Sequence, residues 1–115
     1  MYNFSNTHSI EARKKESSKI LLKYPTRIPI IVEKSSKCDL MDIDKKKYLV
    51  PKDMLMSQFV YVIRKRIKLN ESHALFVMVD RQLVRGNTPI GDIYDTHCNE
   101  DGFIYMIYTS ENTFG

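Results

Sequence analysis

Apolar residues recur at steps of three and four between residues 56 and 67. This spacing places them on one face of an α-helix, with polar and charged positions on the opposite face. Burying one large apolar side chain is worth roughly 1.5 to 3 kcal/mol, so the pattern predicts a helix that covers a sheet at the centre of the core. The apolar face holds Met56, Phe59, Val60, Ile63 and Ile67, and the opposite face holds Tyr61, Arg64, Lys65 and Lys68.

Two strands are predicted before this helix. Residues 47–50 are apolar after the first lysine and include an aromatic and a β-branched residue, and Pro51 ends the strand because proline has no N–H for the ladder. Residues 27–34 form the other strand. Pro29 within it predicts either an edge strand or a place where the ladder is unpaired. A polar loop, residues 35–44, joins the two strands.

Two long strands and one short strand are predicted after the helix. Residues 74–79 are continuously apolar, which is typical of a central strand that is covered on both faces. Residues 103–108 form the last strand. Between the two long strands, a short strand is predicted at Leu83-Val84. A short helix follows, with Thr88 as its N-cap and Pro89 in its first turn, and it runs through Tyr94. A turn at residues 99–102, with Gly102 last, leads into the final strand.

The N-terminal part of the chain is more polar. Residues 1–8 lack periodicity and predict a loose start. Ser9 is a candidate N-cap for a basic amphipathic helix over residues 10–24, which ends before Pro25. Its apolar stripe is thin, which favours a helix that packs on the outside of the hydrophobic core and is not part of it. The order of the elements therefore predicts an α+β fold, a β-grasp with an added N-terminal helical segment.

The composition suits one compact domain, because 43% of the 115 residues are hydrophobic. We divide it into a helical extension at 1–26, a β-grasp core at 27–108 and a flexible tail at 109–115. Cys38 and Cys98 are too few for a disulfide framework and are expected to be thiols of a reducing compartment. A signal peptide is not predicted, and no apolar run approaches the roughly eighteen residues of a membrane span.

The net charge of +4 hides an asymmetry along the chain. Residues 1–70 hold 16 Lys+Arg and 7 Asp+Glu, whereas residues 71–115 hold 2 and 7. A basic half attracts nucleic acid, anionic lipid or acidic peptides, or it is simply a solvated surface, and charge alone does not choose among these. The three histidines have no carboxylate and nucleophile at a spacing typical of one site, so no enzyme activity, metal or cofactor is predicted.

The segments YLVPKDMLMSQFVYVIRKRIKL and DGFIYMIYTSENTFG resemble the autophagy-related protein 8 family, which includes the GABARAP-like ubiquitin-like modifiers. The resemblance runs from about Glu11 to Gly115 and includes RIPIIVEK and IDKKKYLVP. It implies a ubiquitin-like β-grasp that activating and conjugating enzymes join through Gly115 to phosphatidylethanolamine. It also implies a delipidating cysteine protease, a cytoplasmic location, and an autophagosome membrane location after lipidation. Membrane contact is expected only through the covalent lipid.

The resemblance also implies a dock for receptor peptides that carry an aromatic-x-x-aliphatic motif. Such a peptide adds a strand to an exposed sheet edge. Acidic residues beside the motif would be attracted by Arg27, Lys45 and Lys46, while Arg64 and Arg66 match positions presented to processing enzymes. Glu16, Ile20, Pro29, Ile31, Lys47, Leu49 and Phe103 would line the aromatic pocket, and Tyr48, Val50, Pro51, Met54, Phe59 and Val62 the aliphatic one.

Each of these assignments has a simpler alternative. Leu49, Phe59 and Phe103 could be ordinary core residues, the lysine run could protect a sheet edge from aggregation, and the helix arginines could serve solubility. A basic β-grasp module that binds nucleic acid or acidic peptides without conjugation is the alternative function, although no nucleic acid is expected because the aromatic residues fit the core pattern.

The sequence also departs from the family at several positions. Leu55 stands where relatives usually have a helix-capping threonine, so Ser57 or Asp53 is expected to cap the main helix instead. Met78 replaces an aromatic residue beside Phe76, and Val84-Arg85-Gly86 replaces a proline-rich turn. The membrane-tethering role of the family's N-terminal segment is not transferred to this chain.

Overall fold

The computed structural model describes residues 4, 7–36 and 38–110. Its long elements follow in the predicted order, and the predicted α+β β-grasp is confirmed. We number them α1 (Ile10–Lys23), β1 (Arg27–Lys34), β2 (Lys47–Pro51), α2 (Met56–Arg66), β3 (Phe76–Val79), β4 (Gln82–Leu83), α3 (Ile90–His97) and β5 (Ile104–Thr109).

The strands form one five-stranded sheet in the order β2-β1-β5-β3-β4. β1 is antiparallel to β2 and parallel to β5. The prediction that Pro29 marks an edge strand is therefore wrong, because β1 has a neighbour on each side. Pairing with β5 begins at Ile30, one residue after Pro29, so the proline lies before that ladder starts. This position fits the other alternative, an unpaired place in the ladder.

Residues 74–79 do not form the central strand, so this prediction is also wrong. β3 begins only at Phe76, and β5 occupies the centre of the sheet. Val77 and Val79 are buried, whereas Phe76 and Met78 are half-buried, so one face of β3 is better covered than the other. The apolar run indicated two covered faces because side chains on the partly exposed face are also hydrophobic.

α2 covers the sheet as predicted. Met56, Phe59 and Ile63 are 1% exposed or less, and they belong to a large apolar cluster with the β1 residue Ile30 and the β5 residue Met106. We call this cluster the main core. Val60, the remaining member of the predicted face within the helix, is half-buried beside it.

The first residue of α2 and the first residue of α3 each donate a backbone hydrogen bond to the segment that precedes the other helix. Met56 N–H donates to Thr88 O at 2.9 Å, and Ile90 N–H donates to Met54 O at 2.8 Å. The predicted capping residues are consequently wrong: Leu55 is the N-cap of α2, where Gln58 Oε1 accepts from its N–H at 2.8 Å, and Pro89 is the N-cap of α3. These backbone hydrogen bonds satisfy N–H groups at the helix starts that a capping side chain would otherwise bind. α3 also continues to His97 rather than ending at Tyr94.

α1 lies on the opposite face of the sheet and is fastened by polar contacts. Ser9 Oγ accepts from Ala12 N–H at 3.1 Å, which confirms the predicted N-cap. Ser17 is buried, and its hydroxyl donates to Asp101 O at 2.5 Å. The predicted turn is present beside it, with Gly102 at φ +87°. A Cβ at Gly102 would lie 2.3 Å from Ser17 Oγ, so α1 approaches this turn more closely than another residue would allow.

No helix in the described part of the chain is long and apolar enough to cross a bilayer. Both cysteines are free thiols, with Cys38 buried and Cys98 exposed.

Candidate peptide-docking site

β2 forms one edge of the described sheet, with β1 as its partner on the inner side. An edge strand offers backbone N–H and C=O groups to which an extended peptide can add. Side chains alternate along the strand: Tyr48 and Val50 are buried against the main core, while Lys47 is exposed and Leu49 half-buried on the α1 face. This alternation assigns the two predicted pockets to opposite sides of one strand.

The residues predicted for the aromatic pocket come together on the α1 face. Pro29 pairs with Leu49, and Ile31 pairs with Lys47, across the β1–β2 ladder. Lys47 Nζ also forms an ion pair at 2.8 Å with Glu16 of α1. Ile31 and Phe103 belong to a second apolar cluster, against which Ile20 packs. The other members of this cluster, which we call the α1-face cluster, are Phe4 and Tyr105.

Phe4 is a residue of this site that the sequence analysis missed. It was placed in a loose start, yet its side chain is only 7% exposed. Its ring centroid lies 5.3 Å from that of Phe103 in an edge-to-face arrangement. One aromatic residue within a polar segment has no periodicity, so nothing in the pattern pointed to its burial.

The residues predicted for the aliphatic pocket lie on the other side of β2. Tyr48 packs edge-to-face on Phe59, with ring centroids 5.4 Å apart. Met54 and Val62 are half-buried at the rim of the main core, where a ligand can reach them. Phe59 itself is completely buried and acts as a core residue beneath Tyr48. Val50 is buried and Pro51, the last residue of β2, is half-buried.

Basic side chains surround the edge strand. Lys46 Nζ lies 3.8 Å from the buried carboxylate of Glu33, and Lys45 Nζ lies 5.2 Å from the centre of the Tyr48 ring. Arg27 Nη1 donates to Leu49 O at 3.4 Å. Their side chains remain exposed, so they can attract acidic residues beside a docked peptide.

Arg64 and Arg66 lie away from the edge strand, near the end of α2. Arg64 donates to the backbone oxygens of Asn70 and His73 at 3.0 and 2.8 Å, which holds the chain after the helix. Arg66 forms an ion pair with Asp44 at 3.2 Å. These contacts give both arginines a structural role that the sequence did not predict.

A buried carboxylate attaches α1 to the start of β5. Asp101 is 1% exposed and forms an ion pair with Arg13 at 2.8 Å. It also accepts hydrogen bonds from the Phe103 N–H at 3.0 Å and from the Tyr105 hydroxyl. Burial and the bond to Asp101 raise the pKa of Tyr105 above its usual range. This network fixes α1, and with it Glu16 and Ile20, over the sheet.

Two further observations concern two other kinds of site, a metal site and the conjugation site. Among the described residues, no group of three or more His, Cys, Asp or Glu side chains could hold a metal ion. The predicted conjugation residue, Gly115, and the preceding residues 111–114 lie outside the described residues. The geometry therefore bears on the peptide dock and not on the tail.

A β-grasp sheet covered by α2, with an added N-terminal helix and an edge strand whose one strand partner among the described residues is β1, defines a ubiquitin-like protein with a candidate peptide dock. The family model described as "Autophagy protein Atg8 ubiquitin like" matches residues 12–115. The chain belongs to this family of ubiquitin-like autophagy proteins.

Individual relatives match nearly the whole chain. Autophagy-related protein 8 of Mycosarcoma maydis is 54% identical over 112 residues, which cover 97% of this chain and 95% of the relative. Autophagy-related protein 8a of Arabidopsis thaliana is 54% identical over 113 residues, covering 98% and 93%. The crystal structure of Trypanosoma brucei ATG8 superposes with a TM-score of 0.92 at 38% identity, covering 100% of this chain and 99% of that one. The predicted ubiquitin-like fold and family are thus confirmed.

Proposed function

We propose that this protein is a conjugated modifier of autophagy that binds receptor peptides along β2. The observation that carries the docking half is the open edge of β2, with an apolar site on each side of the strand. Family membership supports the conjugation half. The protein would act in the cytoplasm and, once lipidated, on the autophagosome membrane, as a modifier and adaptor and not as an enzyme.

A docked peptide would extend the sheet beyond β2. Its aromatic side chain would enter the site formed by Ile20, Ile31 and Phe103, and its aliphatic side chain would rest on Met54 and Val62. Backbone hydrogen bonds would supply sequence-independent affinity, while the two side-chain sites would select the motif. Lys45, Lys46 and Arg27 would favour peptides with flanking acidic residues.

Conjugation would use the carboxylate of Gly115. Adenylation with ATP makes an acyl-adenylate and releases pyrophosphate, and an enzyme thiol then displaces AMP to give a thioester. The amine of phosphatidylethanolamine then attacks the thioester carbonyl. The enzyme thiol leaves, and an amide between Gly115 and the lipid is formed. Glycine suits these transfers because no Cβ obstructs the attacking group. The family's activating and conjugating enzymes would catalyse the steps, and its cysteine protease would hydrolyse the amide.

Reconstitution with the family's activating and conjugating enzymes, ATP and phosphatidylethanolamine liposomes tests the conjugation half. We expect the intact chain to gain the mass of one lipid and to float with the liposomes. A chain lacking Gly115 is the matched control and should remain unmodified. Failure of the intact chain, in a reaction where a known relative is lipidated, would refute conjugation.

Titration with an aromatic-x-x-aliphatic peptide tests the docking half. Leu49→Asp places a charge in the aromatic site, on the α1 face of β2, and should weaken binding at least tenfold, because a charged group would be buried against the peptide. Leu83→Asp is the matched control, since Leu83 is exposed on β4 at the opposite edge of the sheet. Equal affinities for the two variants would refute the dock.

A further inference from the structure

An aromatic ring of the chain already lies in the aromatic half of the dock. The Phe4 ring rests edge-to-face on Phe103, and its centroid lies 6.4 Å from that of Tyr105. Both residues belong with Ile31 to the α1-face cluster. Edge-to-face packing is a favoured geometry for aromatic pairs, so this is a specific contact for the Phe4 ring.

Lys47 connects Phe4 to the rest of the dock. Its Nζ lies 4.8 Å from the centre of the Phe4 ring and 2.8 Å from the Glu16 carboxylate. A lysine ammonium over an aromatic face is attracted by the ring quadrupole. One side chain thus joins β2, α1 and Phe4 across the opening of the aromatic pocket.

Further groups hold the backbone and ring of Phe4. Its N–H donates to Glu33 Oε2 at 3.2 Å, and the His8 ring lies 4.5 Å from the Phe4 ring. A cavity of about 290 Å³ borders Phe4 on the side of Lys46. The ring is therefore well packed on the cluster side and less well packed on the other.

The residues that a ligand's aromatic side chain must contact are covered in this arrangement. Ile31 is 0% exposed and Phe103 1% exposed, although the neighbouring Lys47 and Leu49 can be reached from solvent. A bound aromatic side chain would gain little from Lys47 and Leu49 alone, because its gain comes from contact with buried apolar surface. The Phe4 ring packs on these buried side chains, so a ligand ring that contacts Phe103 has to take its place.

We propose that Phe4 is an internal competitor that occupies the aromatic pocket, and that receptor peptides bind after it leaves. This inference rests on the docking function proposed above. The free chain is then a mixture of a closed state, with Phe4 in the pocket, and an open state. When only the open state binds, the measured dissociation constant is the intrinsic one divided by the open fraction. An open fraction of about one tenth would weaken binding about tenfold.

Phe4→Ala provides the test, by isothermal titration with an acidic peptide that contains a Trp-x-x-Leu motif. The variant should bind about three- to tenfold more tightly than the natural chain, because no ring has to be displaced. Phe4→Leu keeps an apolar side chain without the ring, and its affinity for the peptide should lie between those of the natural chain and Phe4→Ala. Tyr61→Ala is the control, since Tyr61 is an aromatic residue exposed on α2, outside the dock.

A second peptide, with alanine in place of the tryptophan, assigns the effect to the aromatic pocket. It should bind both chains with the same low affinity, because it leaves the aromatic pocket empty and can bind the closed state as well as the open state. Thermal unfolding of each variant verifies that the fold is intact before the affinities are compared.

The outcomes separate the two proposals. Unchanged or weaker binding by Phe4→Ala would show that the ring is a wall of the pocket and would overturn the inference, while the dock itself would stand. Absence of peptide binding by all the chains would refute the docking function and the inference together. Tighter binding of the Trp-x-x-Leu peptide alone would support both.

Discussion

The two faces of the sheet are built in different ways. Ile30 and Ile31 are neighbours on β1, and both are fully buried, but they point to opposite faces. Ile30 lies in the main core under α2, among many aliphatic and aromatic side chains. Ile31 lies in the α1-face cluster, whose other buried members are Phe4, Phe103 and Tyr105.

Polar contacts supplement this smaller cluster. The Ser17 hydroxyl and the Arg13 guanidinium bind Asp101, and Lys47 pairs with Glu16. Such contacts depend on geometry and contribute less per group than the burial of a large apolar side chain. The comparison teaches that the burial of many apolar side chains holds the α2 face, whereas the α1 face depends on a smaller apolar cluster supplemented by polar contacts.

The largest expected effect tests this difference directly, with two alanine substitutions at adjacent positions. Ile30→Ala should lower the free energy of unfolding by about 3 to 4 kcal/mol, and Ile31→Ala by about 2 kcal/mol. The cost depends on the contacts that are lost and on how well the site can collapse, and Ile31 packs in a smaller apolar cluster than Ile30 does. Urea denaturation measures both values. An Ile31→Ala cost equal to or above that of Ile30→Ala would contradict the comparison.

A smaller effect is expected where α1 is attached. Asp101→Asn should lower the free energy of unfolding by about 1 to 3 kcal/mol, because the buried partner of Arg13 loses its charge. Hydrogen exchange should quicken in α1 and stay unchanged in α2, since only the α1 face loses a contact. Glu100→Gln is the matched control: this neighbouring residue pairs with Lys14 at 3.6 Å and is 80% exposed. Equal acceleration in both helices would show that the faces are not independent.

The smallest effect is expected at the exposed ion pairs. Glu16→Gln on the α1 face and Asp44→Asn, which removes the Arg66 pair near α2, should each change the free energy of unfolding by at most about 0.5 kcal/mol. Both changes should vanish at high salt, because screening weakens exposed pairs. A cost above about 1 kcal/mol for Glu16→Gln alone would mean that charge, and not burial, holds the α1 face.

The main-core side of the fold was largely predictable from the sequence. The period of α2, the bounds of β1 and the closure of β2 at Pro51 follow from local side-chain patterns, and the structure confirms them. The N-caps of α2 and α3 were not predictable, unlike Ser9 of α1, because these two helix starts are satisfied through backbone pairing between distant segments, around Leu55 and around Thr88 and Pro89. The same limit applies to β3, whose central position was inferred from hydrophobicity when strand order depends on long-range pairing.

The candidate site was predictable only in part. The resemblance supplied its residues, and the structure brings the two predicted sets to opposite sides of β2. Phe4, Asp101 and Glu33 were missed, because a polar segment or an isolated carboxylate carries no sign that it will be buried. Their burial arises from tertiary contacts, which a pattern along the chain cannot show.

The parallel pairing of β1 with β5 has a consequence for how the protein is made. Ile30 pairs with Ile104, so β1, an early strand to be synthesised, can complete its pairing only after β5, the last strand, has been synthesised. Local contacts such as the β1–β2 pair and α2 can form early, but a sheet that depends on distant pairing closes late. A chain that ends before residue 101 lacks the central strand β5, and with it the Phe103 and Asp101 contacts that complete the α1 face. The α1 face of the sheet is therefore among the last parts of the fold to be completed.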